Sequence, residues 1–168
     1  LFPIAEGTTY NSYLIVDEQV TLIDTVEEEF YDTMMERIRS VIGERTIDNV
    51  IVQHAEPDHS GGFLKFMKDY PDAKPYASNA GVGIMLKQYF KNYDFQKVKT
   101  GDTLSTGRYT LTFVEMPMIH WPDNMLTYVA EQKIAFSNDA FGQHIASYDI
   151  FDDAHGAAKC IDRAKDYY

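Results

Sequence analysis

The stretch Asn49-Val50-Ile51-Val52-Gln53-His54-Ala55-Glu56-Pro57-Asp58-His59-Ser60-Gly61-Gly62 carries the decisive pattern. A short apolar run, Asn49 to Gln53, reads as a buried strand and delivers the chain to His54. Four potential metal ligands, His54, Glu56, Asp58 and His59, then fall within six residues. In an extended segment residues i, i+2 and i+4 point to one side, so His54, Glu56 and Asp58 are predicted to converge on one location. His59, on the turn into the next helix, is predicted to reach a neighbouring one. Pro57 stiffens the loop by holding its φ, and Gly61 and Gly62 allow close backbone approach after it.

Imidazole nitrogen with carboxylate oxygen suits borderline metals such as iron, zinc and manganese, and a carboxylate can bridge two ions. The segment has no thiolate, which argues against a structural zinc knuckle or an iron–sulfur cluster. The plain alternative is a polar helix-capping loop with Asp58 or Ser60 as cap. Four ligand types in six residues outweigh it. Two later positions add to the metal reading. His120 (in MPMIHWPDN) follows a strand that ends near Glu115, and Asp139 (in FSNDAFGQH) follows one that ends at Phe136. Sites on layered folds gather at such strand ends. Trp121 and Phe141 read first as core rings and second as walls of the site.

Outward from this segment, Thr9 to Val16 and Val20 to Asp24 read as two strands joined by the turn Asp17-Glu18-Gln19, an antiparallel hairpin. Glu28 to Val41 reads as a helix, with Phe30, Met34, Met35, Ile38 and Val41 as its buried stripe. Ser60 to Tyr70 reads as a helix capped by Ser60, Lys74 to Ala77 as a strand, and Asn79 to Phe90 as a helix. Gly101 to Gly107 is turn-rich; Tyr109 to Glu115, Met125 to Ala130 and Lys133 to Phe136 read as strands. A hairpin, β/α alternation and then a β-meander suit two mixed sheets face to face with helices outside.

The 168 residues suffice for one domain with a core, and 12 tyrosines and 10 phenylalanines predict one rich in rings. A net charge of −11 repels phosphate backbones, so nucleic acid is not an expected partner. No apolar run is long enough for a membrane span, and no signal peptide is expected. The single cysteine, Cys160, excludes a disulfide framework within the chain, suits a cytoplasmic location and reads as a half-buried helix residue.

These motifs resemble a known family. The metallo-β-lactamase superfamily uses a His-x-His-x-Asp-His loop followed by a distant His, a distant Asp and a last His. Here the second histidine is Glu56, as in the flavodiiron proteins, or A-type flavoproteins. GTTYNSYLI (7–15), HAEPDHSGG (54–62), MPMIHWPDNM (116–125) and FSNDAFGQH (136–144) all resemble that family. The resemblance implies a four-layer αββα sandwich with a diiron site. In it His54, Glu56 and His120 would hold one iron, Asp58 and His59 the second, and Asp139 would bridge them. It implies reduction of O2 to water or of NO to N2O, with electrons from FMN. The FMN would sit in a flavodoxin-like domain of the partner subunit in a head-to-tail dimer or tetramer, supplied by rubredoxin, reduced deazaflavin or another carrier. A final histidine should follow well beyond Asp139, and neither His144 nor His155 lies far enough along. Residues 1–168, opening at Leu1 and ending in an apparent helix at Tyr168, are therefore expected to be a partial, truncated diiron domain lacking that ligand and the flavodoxin-like domain. His144 reads as a surface histidine or a proton source near the site. The rivals are a binuclear zinc hydrolase of the same superfamily, which generally keeps histidine at the Glu56 position, and a metal-free remnant that serves only dimer contacts.

Overall fold

The hairpin at the start forms because β-branched and aromatic residues flank a short acidic turn. Strand β1 (Tyr13–Val16) pairs antiparallel with β2 (Val20–Ile23), Leu14 opposite Leu22. The structure is a computed structural model that describes residues 9–142, 145–149 and 151–167. Beyond the hairpin the first sheet turns parallel, through β3 (Asn49–Val52), β4 (Lys74–Ser78) and β5 (Gln96–Val98), in the order β1-β2-β3-β4-β5. The short strand β5 was not anticipated from the sequence.

Residue parity divides the core. Val20, Leu22, Val50 and Val52 face one way and pack under helices α1 (Tyr31–Ile42), α3 (Phe63–Asp69) and α4 (Asn79–Tyr89). Ile15, Ile23 and Ile51 face the other way, onto Leu111, Phe113, Met125 and Val129 of the second sheet. Strands buried on both faces carry near-continuous apolar runs, which is why VTLI and NVIV show no alternation. Strands β6 (Thr103–Ser105), β7 (Thr110–Glu115), β8 (Met125–Val129) and β9 (Ile134–Phe136) make the antiparallel second sheet. Its opposite face, with Thr112, Val114 and Leu126, is only half-buried. Helices, sheet and sheet thus follow the expected αββα order through three layers. Helix α5 (Ala157–Tyr167) comes after the second sheet and buries Cys160.

Two helix expectations need correction. A 3-10 turn, Glu28–Phe30, precedes α1 and shifts its register. Tyr31, Met34, Met35, Ile38 and Ile42 form the buried stripe, whereas Phe30 and Val41 are 42% and 66% exposed. Ser60 caps no helix. It closes the single turn α2 (Pro57–Ser60), and α3 starts from Gly62 without a side-chain cap. Pro57 at the first helical position explains the early start: its fixed φ suits a helix and it has no N–H to satisfy. No helix among the described residues is long and apolar enough to cross a membrane.

Candidate metal centre

The site lies at the carboxyl edge of the parallel strands, where side chains leave the sheet without being covered by it. Asp24 follows β2 directly, and His54 follows β3 by two residues. The loop between β7 and β8 brings His120 and Asp123, and the turn after β9 brings Asp139. Backbone bonds hold the pieces: Thr25 N–H donates to His59 O at 2.7 Å, Gly62 N–H to Val26 O at 2.8 Å, and Met125 N–H to Gln53 O at 3.1 Å. Asn138, in the left-handed region at φ 46°, donates to Met125 O and so fixes the turn that presents Asp139.

All six residues singled out from the sequence come together, in two groups that share Asp139. His54, Glu56, His120 and Asp139 form the first, and Asp58, His59 and Asp139 the second. In the first, Glu56 Oε2 lies 3.2 Å from His54 Nε2 and 3.1 Å from His120 Nε2. Asp139 Oδ2 lies 3.1 Å from His120 Nε2 and 3.5 Å from His54 Nε2. In the second, Asp139 Oδ1 lies 2.8 Å and Asp58 Oδ2 3.5 Å from His59 Nε2. The expected convergence of Asp58 with His54 and Glu56 does not occur. The extended stretch ends at Glu56 (φ −62°, ψ 144°), and the helical turn from Pro57 swings Asp58 over to His59.

Two carboxylates that the sequence reading passed over complete the arrangement. Asp123 Oδ2 accepts the Ala55 N–H at 2.7 Å and lies 3.3 Å from His54 Nδ1. Asp24 Oδ2 lies 3.2 Å from His59 Nδ1, while its Oδ1 accepts the Gln53 N–H at 2.7 Å. Each buried imidazole is therefore gripped on Nδ1 and turns Nε2 to the cluster, the arrangement that orients metal-bound histidines. In the sequence Asp24 only closes the strand Val20 to Asp24, and Asp123 is not singled out within MPMIHWPDN. The available signal was that an acid directly after a buried strand shares the sheet edge with His54. Trp121 stands edge-on to His54, ring centroids 5.2 Å apart, and walls the site. Phe141 is 70% exposed, so its reading as a core ring is corrected. His155 is half-buried and belongs to neither group, and His144 lies outside the described residues.

The charges are strongly coupled. Burial disfavours the charged form of His59, yet its hydrogen bonds to Asp139 and Asp24 raise its pKa to about 11. Burial likewise opposes charge on His54, and Asp123 outweighs it, raising that pKa. Burial would raise Asp139, but His59 lowers it; Asp58 is raised, first by burial. Glu27, near Asp58, is also raised, by burial and then by that carboxylate.

The donor set fits a pair of metal ions. Ligand atoms about 2.0–2.2 Å from one ion stand roughly 3.0–3.5 Å apart, which matches the separations at Glu56, His54, His120 and Asp139. Asp139 presents one oxygen to each group. Asp58 Oδ1 is buried with no hydrogen-bond partner among the described residues, a costly state that a cation relieves.

The family model described as ODP family beta lactamase matches residues 8–165. The chain belongs to that family. A nitric oxide reductase of Moorella thermoacetica is 42% identical over 169 residues, covering 99% of this chain and 42% of that protein. An anaerobic nitric oxide reductase flavorubredoxin of Vibrio vulnificus is 38% identical, covering 99% and 34%. Among solved structures, the rubredoxin oxygen:oxidoreductase of Desulfovibrio gigas superposes with a TM-score of 0.93 at 39% identity, over 100% of this chain and 42% of its own. The flavodiiron protein of Giardia intestinalis gives 0.92 at 32% identity, over 99% and 41%. The flavodiiron likeness drawn from the motifs holds, as does the metallo-β-lactamase-like fold. This chain spans about 42% or less of the length of these relatives.

Proposed function

We propose that this chain is the diiron part of an oxidoreductase that reduces NO to N2O, O2 to water, or both. The observation that carries the reading is Glu56: its Oε2 lies between His54 and His120, where a hydrolase of this fold would present a third imidazole. A carboxylate there hardens the site and adds negative charge, which favours iron over zinc. In this reading His54, Glu56 and His120 would hold one iron and Asp58 and His59 the other, with Asp139, common to the two groups, shared between them. A pair of irons held there would supply reducing electrons and open coordination positions for the gas. The protein's residues keep the centre in place. Asp123 and Asp24 orient the two buried imidazoles, three carboxylates balance the cationic charge, and Trp121 shields His54 from water.

Support for the substrates comes from the relatives, one named a nitric oxide reductase and one a rubredoxin oxygen:oxidoreductase. By the same likeness, electrons reach the site from FMN in a flavodoxin-like domain, and a rubredoxin or reduced deazaflavin supplies them. Residues 1–168 are then one part of the diiron domain, with a final histidine ligand contributed by the rest of the protein. A head-to-tail homodimer or tetramer in the cytoplasm is the assembly this reading expects. The test is elemental analysis of anaerobically prepared protein, followed by O2 and NO consumption in the full-length parent. About two irons per chain with turnover of either gas is the expected result. Two zincs taken up with iron present, together with ester, amide or phosphodiester hydrolysis, would replace this reading by a zinc hydrolase.

A further inference from the structure

The two carboxylates behind the histidines differ in a way that gives them different tasks. Asp123 uses one oxygen, Oδ2, for both the Ala55 N–H and His54 Nδ1. Asp24 divides its oxygens: Oδ1 takes the Gln53 N–H and Oδ2 faces His59 Nδ1. Asp24 is 2% exposed and His59 5% exposed, so water does not substitute readily for either partner. A carboxylate only accepts, so the ring nitrogen facing it must carry a proton. With the Nδ1 proton held by Asp24, Nε2, which faces Asp139 at 2.8 Å and Asp58 at 3.5 Å, is the nitrogen whose proton an ion displaces.

We infer that Asp24 is the positioning residue that makes the second metal position, by keeping the His59 proton on Nδ1. The inference rests on the metal-centre reading above and says which residue sustains its second half. Substitution separates this task from simple packing. Asn is isosteric and tolerates the left-handed conformation Asp24 adopts at φ 57°. In Asp24→Asn the carbonyl oxygen must stay on the Gln53 N–H, because a backbone donor cannot become an acceptor. The amide NH2 then faces His59 Nδ1. The imidazole answers by moving its proton to Nε2, which can no longer bind a metal. Asp123→Asn has no such conflict, since one carbonyl oxygen serves both of its donors and the tautomer of His54 is kept.

The experiment titrates Zn2+, a diamagnetic probe, into the metal-free full-length parent and its variants by calorimetry, and reads the histidine tautomers of the zinc-loaded proteins by 15N NMR. The wild type is expected to take two zinc ions, with His59 protonated on Nδ1. Asp24→Asn is expected to lose the second ion, or to weaken it by about 10–100-fold, the usual effect of removing such a partner. Its His59 is expected to be protonated on Nε2. His59→Gln should lose the same ion, and Asp123→Asn should keep it. Two zinc ions with unchanged affinity and tautomer in Asp24→Asn would overturn the inference and leave the metal centre standing. A wild type that takes no zinc would overturn both. An Asp24→Asn chain that fails to fold beside a folded His59→Gln would show that Asp24 serves only to join β2 to β3, and would also overturn it.

Discussion

Asp139 Oδ1 lies 2.8 Å from His59 Nε2, across 80 residues of chain. The other oxygen of the same carboxylate faces His120 at 3.1 Å. One side chain thus belongs to both ligand groups, and its loss should damage both. Asp139→Ala is expected to reduce bound metal from about two ions per chain to less than one, with the fold retained. Metal analysis beside a far-ultraviolet circular dichroism spectrum checks this. A variant that keeps both ions would remove Asp139 from its bridging place.

Metal loading should release protons. The pKa of His59 is raised to about 11, so at pH 7 the ring carries a proton on each nitrogen. An ion on Nε2 must displace one of them. Uptake should therefore strengthen as pH rises toward 11 and weaken as it falls. Calorimetric titrations in buffers of different ionisation enthalpy will show it as a buffer-dependent heat. A heat independent of buffer would contradict the assignment of His59 as a ligand.

Gly61 is held between two backbones. A Cβ there would stand 2.6 Å from Pro57 O and 2.9 Å from Glu28 N, neither of which can yield as a side-chain tip would. Gly61→Ala should cost about 1–3 kcal/mol, as overpacking does. Because the displaced turn carries Asp58 and His59, the second ion should weaken with it. Urea unfolding with zinc titration measures both, and an unchanged midpoint would show that the turn has room to move.

Asp17 joins the first hairpin to the second sheet. It is 6% exposed and accepts the Thr106 hydroxyl at 3.0 Å, the Arg108 N–H at 2.7 Å and the Tyr109 N–H at 3.1 Å. Burial pushes its pKa up, but those donors, led by Tyr109 N–H, lower it from 3.8 to about 2. A depressed carboxylate stabilises the fold above its ordinary pKa and loses that contribution as pH falls through the folded value. Asp17→Asn should therefore be less stable than wild type at neutral pH. The gap should close between about pH 4 and pH 2. Urea midpoints across that range test it; a gap constant with pH would mean that shape, not charge, is what Asp17 contributes.

Much of this protein was legible in its residues. Val50 to Val52 announces a buried strand, and the ligand types after it announce a metal. Both follow from local chemistry, since an apolar run must be covered and a dense set of imidazoles and carboxylates needs a cation. The shift of the α1 stripe from Phe30 and Val41 to Tyr31 and Ile42 was not legible. It depends on a 3-10 turn whose only sequence mark is three consecutive glutamates.

What the sequence by itself determined is the identity of the ligands, their order and the strands that carry them, because those depend on neighbours within a few residues. Only the tertiary structure decided how the ligands divide. Asp58 leaves His54 because a helical turn begins at Pro57, and Asp139 reaches both groups because the second sheet brings its carboxylate to the edge of the first. Asp24 and Asp123 gained their partners 35 and 69 residues away in the same manner. Such contacts are made by the pairing of β2 with β3 for Asp24 and by the packing of the two sheets for Asp123, and no local pattern in the chain records them.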